Sequence, residues 1–206
     1  MVEKIIKVAL KQKGYSDEQI EKTKISLINE SQPNLFQINI PITPKKFIED
    51  VLIKELGEVV KISPWLGFIS ISSGIEFLGK CIDTKNTDKW DTSGMSKINF
   101  NDAIKNLNSF IKYRPLLNRS NFNLYNEFRC GLVHSCAPKA NVSLSHGTNE
   151  SANLDERKGV VNFNADELYV DFKSACEEVI NMDFPKSNKM NFPKLYINLT
   201  LNLEEN

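Results

Sequence analysis

Arg129-Cys130-Gly131-Leu132-Val133-His134 is the stretch of this 206-residue chain whose residue types and spacing are best suited to chemistry. An imidazole that titrates near neutrality can take a proton from a hydroxyl or return one to a leaving oxygen. A guanidinium can hold a phosphate through two parallel hydrogen bonds and neutralise charge that builds in the transition state. Together they suit transesterification at an RNA phosphodiester, with the 2′-hydroxyl as nucleophile and no metal required. On a helix the two residues are about 7.5 Å apart along the axis, from a rise of about 1.5 Å per residue. The long Arg129 side chain can therefore reach the phosphate that His134 addresses.

A helical wheel at about 100° per residue puts Leu124, Phe128 and Leu132 together, with Tyr125 beside them, as the core face. Arg129 and His134 fall on either side of the opposite, outward face, with Asn126, Cys130 and Val133 between them. An apolar Val133 on a solvated face implies a cover. A second copy of the same helix is the simplest one, because closed two-fold dimers are the commonest oligomers. Two histidines could then share the acid and base roles. Between residues 105 and 139 the charged residues are Lys105, Lys112, Arg114, Arg119, Arg129 and Lys139 against Glu127 alone, a local charge of +5. Arg114 and Arg119, just before the motif, are expected to contact RNA phosphates. The whole chain carries 26 basic and 26 acidic residues, which excludes a uniformly basic coat but not a local patch.

The same residues allow plainer readings. His134 at a helix C-terminus could bond the last carbonyls, and Arg129 could pair with a surface acid. Glu76, alone in an apolar helix, either orients Arg129 or His134 across the bundle or bonds a backbone group. Cys130 and His134 have the four-residue spacing of a metal-binding pair, and Cys136 follows. A zinc site would still need further ligands, such as His146 and an acid, and nothing in the spacing demands them. A Cys130 thiolate activated by His134 is a further chemical possibility. No Gly-rich phosphate loop or G-x-S-x-G elbow is present, and no metal or cofactor is expected. Trp65 and Trp90 read as packing residues more than as base-stacking platforms.

The elements that position the motif read as mainly helical. The first thirty residues suggest two short amphipathic helices, the second opened by the capping box Ser16-Asp17-Glu18-Gln19 and carrying Ile20, Leu27 and Ile28. Residues 35 to 40 alternate weakly and could go either way. Thr43 and Pro44 start a helix with a stripe at Ile48, Val51, Leu52, Leu56, Val59 and Val60. Ser63-Pro64-Trp65 starts another that is apolar almost all round, as befits the middle of a bundle; Gly67, Ser70, Gly74 and Gly79 let neighbouring backbones approach it. A polar loop over 85–96 precedes a third bundle helix with Phe100, Ile104, Leu107, Phe110 and Ile111, ending near Arg114-Pro115. The motif helix spans about 121–134. Residues 142–145 and 160–163 read as short strands, 166–180 as a helix, and 195–203 as a half-buried strand.

Length favours one domain, with a plausible boundary near residue 42: an accessory helical segment over 1–42, then a helical bundle with C-terminal strands over 43–206. Four cysteines without paired spacing argue against a disulfide framework. No signal peptide is readable, and the apolar run 65–78 is too short and too rich in Ser and Gly for a membrane span. A cytoplasmic setting without membrane contact is the expectation.

Residues 44–182 resemble the HEPN domain family. The likeness is carried by the Arg-x4-His motif within Leu124-Tyr125-Asn126-Glu127-Phe128-Arg129-Cys130-Gly131-Leu132-Val133-His134, and by Ile75-Glu76-Phe77-Leu78-Gly79 on an earlier helix. The strand-and-helix segment after the motif adds to it. The resemblance implies a bundle, usually homodimeric, with Arg129 and His134 as the catalytic pair and Glu76, Asn126 and Cys130 in support. The family commonly has a polar residue where this chain has Cys130. Many members are metal-independent endoribonucleases of toxin or defence systems, which implies RNA as partner and an antitoxin or other protein as a further one. Others have lost catalysis and bind nucleotide, RNA or protein.

Overall fold

The computed structural model describes residues 2–12, 14–27, 35–83, 94–147, 151–182 and 196–202. The protein is mainly α, with a small β element in its C-terminal part, and it divides into two compact units. Unit 1 is Met1–Lys46 with Asn191–Asn206; unit 2 is Phe47–Met190.

Unit 1 begins with α1 (Val2–Gln12) and α2 (Asp17–Glu21), and the Ser16 box caps α2 with Ser16 Oγ accepting from the Gln19 amide. The second expected helix stops there. Lys24–Leu27 is a strand, β1, and Leu35–Pro41 is β2. The expected helical segment 1–42 is thus corrected to mixed α and β; Ile28 lies outside the described residues. In β2, Ile38 and Ile40 are two apart and share a face, and they form a core with Ile6, Leu10 and Ile20. The tail strand β6 (Tyr196–Asn202) forms as its alternation predicts, yet it pairs antiparallel with β2, from Leu35↔Asn202 to Pro41↔Tyr196. The tail therefore belongs to the N-terminal unit and not to the bundle. A strand must satisfy its ladder, and β1 and β6 take the two edges of β2.

Helix α3 (Pro44–Phe47) is capped as expected, with Thr43 Oγ1 accepting from the Lys46 amide. In unit 2 a π-helical stretch, Ile48–Glu55, leads into α4 (Leu56–Ile62), and α5 runs from Pro64 to Ile82. At 19 residues α5 is long and apolar enough to cross a membrane by length and composition, which corrects the shorter estimate from the apolar run. Its Phe68, Ile71, Ile75 and Leu78 are buried in the bundle, which accounts for its apolarity. Gly79 lets α5 approach α6 (Met95–Asn106) closely; a Cβ there would run into the Asn99 carbonyl. Most of the expected polar loop, and Trp90 with it, lies outside the described residues.

The expected third bundle helix is broken. After α6, Leu107 is extended and buried, and a 3₁₀ stretch covers Asn108–Leu116. Two side chains hold the break. Glu178 accepts from the amides of Asn108 and Ser109, and Arg114 donates Nε to Ile104 O and Nη2 to Leu107 O. Ile111, expected on the core stripe, is exposed as a result. A further π stretch, Tyr125–Cys130, continues into α7 (Gly131–Ser135). Strands β3 (Val142–Ser145), β4 (Glu156–Arg157) and β5 (Val160–Asn164) form a small sheet in which β3 and β5 run parallel. Helix α8 (Ala165–Asn181) is capped by Asn164, whose Oδ1 accepts from the Asp166 and Glu167 amides.

Candidate active site

The core face of the motif helix is the one the wheel gives: Leu124, Phe128 and Leu132 are buried. Phe128 stacks on Phe163 of β5 at 4.4 Å between centroids and meets Phe68 of α5 edge-on at 6.3 Å. These contacts fix the helix against both the bundle and the small sheet. The helix changes type within the motif, from the π stretch that holds Arg129 to the α turn that holds His134. Residues five apart on a straight α-helix point about 140° away from each other, and the π stretch ends at Cys130, so the turn from Arg129 to His134 runs through α7 and the long Arg129 side chain spans the difference. Arg129 and His134 are five apart, and Arg129 Nη1 lies 3.4 Å from His134 Nε2.

The structure also corrects the exposed placement of Arg129. Only 8% of the residue is accessible, because the guanidinium turns toward α5 and its Nη2 donates to Glu76 Oε2 at 2.6 Å. Glu76 is therefore the orienting acid, 53 residues earlier in the chain. The Tyr125 ring faces the guanidinium carbon at 5.5 Å, a cation–π contact, and touches Phe100 edge-on. Burial pushes the Tyr125 phenol above its ordinary pKa, with the Arg129 charge opposing, so the ring carries no negative charge near neutrality. Arg129 Nε is buried without a hydrogen-bond partner, leaving a donor in reserve. His134, by contrast, is exposed.

Gly131 makes the return of the chain possible. A Cβ on it would sit 2.6 Å from Ala137 O and 2.9 Å from Pro138 Cα. The segment after α7 therefore packs directly on the helix backbone, with the Ala137 amide bonded to Gly131 O and the Lys139 amide to Glu127 O. Cys136 turns the chain in the left-handed region, at φ 52° and ψ 19°. Its carbonyl accepts the Trp65 indole N–H at 2.9 Å, which ties the start of α5 to the end of the motif helix. Trp65 is 46% exposed, so part of the ring is covered and part is open to solvent.

The other expected site residues do not gather here. Arg114 is spent on the Ile104 and Leu107 carbonyls, and Arg119 holds Glu156 with two hydrogen bonds of 2.6 and 2.9 Å. Lys112 pairs with Asp171. The local charge of +5 is thus largely matched by acids distant in sequence, which corrects Arg114 and Arg119 as ready phosphate contacts. Lys105 and Lys139 are exposed with no ion-pair partner among the described residues. Asn126 is exposed, and among the described residues no hydrogen bond joins its side chain to Arg129 or His134. Cys130 is half-buried and free beside Tyr125. Among the described residues no group of three or more His, Cys, Asp and Glu side chains is placed to hold a metal ion.

Tyr125 and Trp65 are the site residues that sequence reasoning missed. Tyr125 precedes Arg129 by four, the spacing of helical neighbours, and could have been read as its partner. Nothing in the sequence pointed to the bond from Trp65 to Cys136. No protein-family model, no curated protein and no solved structure matches the chain.

Proposed function

We propose that this chain is a HEPN-like endoribonuclease that cleaves RNA by metal-independent transesterification, with Arg129 and His134 as its catalytic pair. One observation carries the reading: the guanidinium and the imidazole lie side by side at 3.4 Å, one anchored by Glu76 and the other open to solvent. With its proton on Nδ1, His134 accepts weakly from Arg129 at this distance. An incoming phosphate oxygen is the stronger acceptor for that guanidinium N–H. Its arrival frees Nε2 to take the 2′-hydroxyl proton while Arg129 balances the charge growing on the phosphorane. The 2′-oxygen attacks phosphorus, the 5′-oxygen leaves with a proton, and a 2′,3′-cyclic phosphate results. In a homodimer built across Val133, the second His134 supplies that proton.

A second reading, a catalytically silent module that binds nucleotide, RNA or protein, is favoured by the burial of Arg129 and its existing match to Glu76. Both are tested by incubating the full chain with mixed RNA in EDTA beside Arg129→Ala and His134→Ala. The nuclease cleaves, leaves cyclic or 3′-phosphate ends, and loses about 10²–10⁴ in rate in either variant. Salt-dependent binding without cleavage identifies the silent module. Cleavage that survives His134→Ala refutes the assignment of the pair.

A further inference from the structure

We infer that Trp65 is a stacking platform for the nucleotide beside the scissile phosphate, and that the site therefore takes RNA whose bases are unpaired. The inference rests on the nuclease reading above for its substrate class.

Trp65 lies in the first turn of α5 and donates its indole N–H to the carbonyl of Cys136, two residues past His134. That bond fixes the polar edge of the ring at the end of the motif helix. Nearly half of the residue stays open to water, and Leu66 and Ile62 nearby are 54% and 82% exposed. A large side chain held by its polar tip, with nearly half of its surface left open, has the form of a binding surface more than of a core residue.

The neighbouring chemistry selects the occupant. The ring is bonded two residues past His134, and on the nuclease reading Arg129 and His134 bind a phosphate and move a proton, so the molecule seated there is expected to have phosphates and flat π-faces at nucleotide spacing. Base–aromatic stacking tolerates any base, because each has a π-face. It requires a base free of its own helix, since a duplex base already has its stacking partners on both sides. A ring fixed in advance also loses little freedom when it is covered.

The chain has two tryptophans, so Trp90→Phe leaves Trp65 as the sole tryptophan, whose emission is followed by exciting at the red edge, where tyrosine does not absorb. That protein is titrated in EDTA with a 2′-O-methyl oligoribonucleotide, which lacks the nucleophilic hydroxyl and stays intact, and with the same strand annealed to its complement. The expected result is saturable quenching by the single strand and affinity at least fivefold weaker for the duplex. In the Trp90→Phe background, Trp65→Ala is expected to weaken single-strand binding by about five- to hundredfold, the size of one base–aromatic stack. Affinity is read there by anisotropy of a labelled strand. Trp65→Phe retains most of the affinity.

Absence of quenching, equal quenching by duplex, or unchanged affinity in Trp65→Ala overturns the platform. If Trp65→Ala lowers the oligomeric mass while affinity stays the same, the patch is a self-association surface and the platform also falls. Should Trp65→Ala not fold, the titration made with Trp65 in place decides alone. A parallel assay on cleavable RNA separates the two ideas. Cleavage without any Trp65 effect removes the platform and keeps the Arg129–His134 pair. Quenching without cleavage keeps the platform and removes the nuclease.

Discussion

Replacing Glu76 with alanine takes the carboxylate away from a guanidinium that is almost out of contact with solvent. The Arg129 and Glu76 side chains are 10% and 20% exposed, and their hydrogen bond is 2.6 Å long. An exposed pair contributes about 0–1 kcal/mol, whereas breaking a fully buried one costs about 3–5 kcal/mol. With most but not all solvent removed, and Arg129 Nε already unpartnered, Glu76→Ala is expected to cost about 2–3 kcal/mol. That is a large share of a typical domain stability of about 5–15 kcal/mol. The measurement is a double-mutant cycle of Glu76→Ala and Arg129→Met, by urea unfolding followed through far-ultraviolet circular dichroism. The single variants are expected to lose more in sum than the double variant, with a coupling of about 2 kcal/mol. Glu76→Gln, which retains an acceptor but no charge, is expected to fall between wild type and alanine. A coupling below about 0.5 kcal/mol would show that solvent screens the pair. Glu76 would then not be what holds the guanidinium beside His134, and the orienting role argued for it would fail.

Gly131→Ala places a methyl group 2.6 Å from Ala137 O, against backbone that has no side chain to swing aside. A loss of about 2–3 kcal/mol is expected in chemical denaturation, with faster hydrogen exchange at the Lys139 amide. Cys136→Gly relieves a left-handed conformation at φ 52°, and a gain of up to about 1 kcal/mol is expected on the same unfolding curve. Burial pushes the thiols of Cys81 and Cys176 well above the ordinary value of 9.0. Because their folded pKa is raised, the stability they contribute is complete below about pH 9 and is lost as pH rises beyond it. Above that point the unfolded chain releases protons that the folded one retains, at about 1.4 kcal/mol per pH unit for each thiol. Urea midpoints measured from pH 8 to 10.5 are expected to fall more steeply in wild type than in Cys81→Ala; equal slopes refute the attribution.

Local signals in the sequence were enough to place most helices, because caps and periodicity act within a few residues. Ser16 and Gln19 form their box, Thr43 and Pro44 open a helix, and Asn164 caps α8 beside the expected start. The core face Leu124, Phe128 and Leu132 was legible for the same reason, and so was the pairing of residue types in Arg129 and His134. What lay beyond the sequence was decided over distance. Leu107 breaks a periodic helix where Glu178 and Arg114 satisfy the freed amides and carbonyls. The tail strand joins β2 because ladder partners are chosen in space. Arg119 and Lys112 lose their apparent freedom to acids 37 and 59 positions further along the chain. The site itself shows the division most clearly. The Arg and His at their spacing are a property of the sequence, but a wheel at 100° per residue sends them to opposite sides of an exposed face. Gly131 under the returning chain shapes the end of the helix, and Glu76 on a packed neighbour holds the guanidinium that reaches His134. A chain that packs back on a helix and a carboxylate 53 residues away are tertiary contacts, and no local pattern records them.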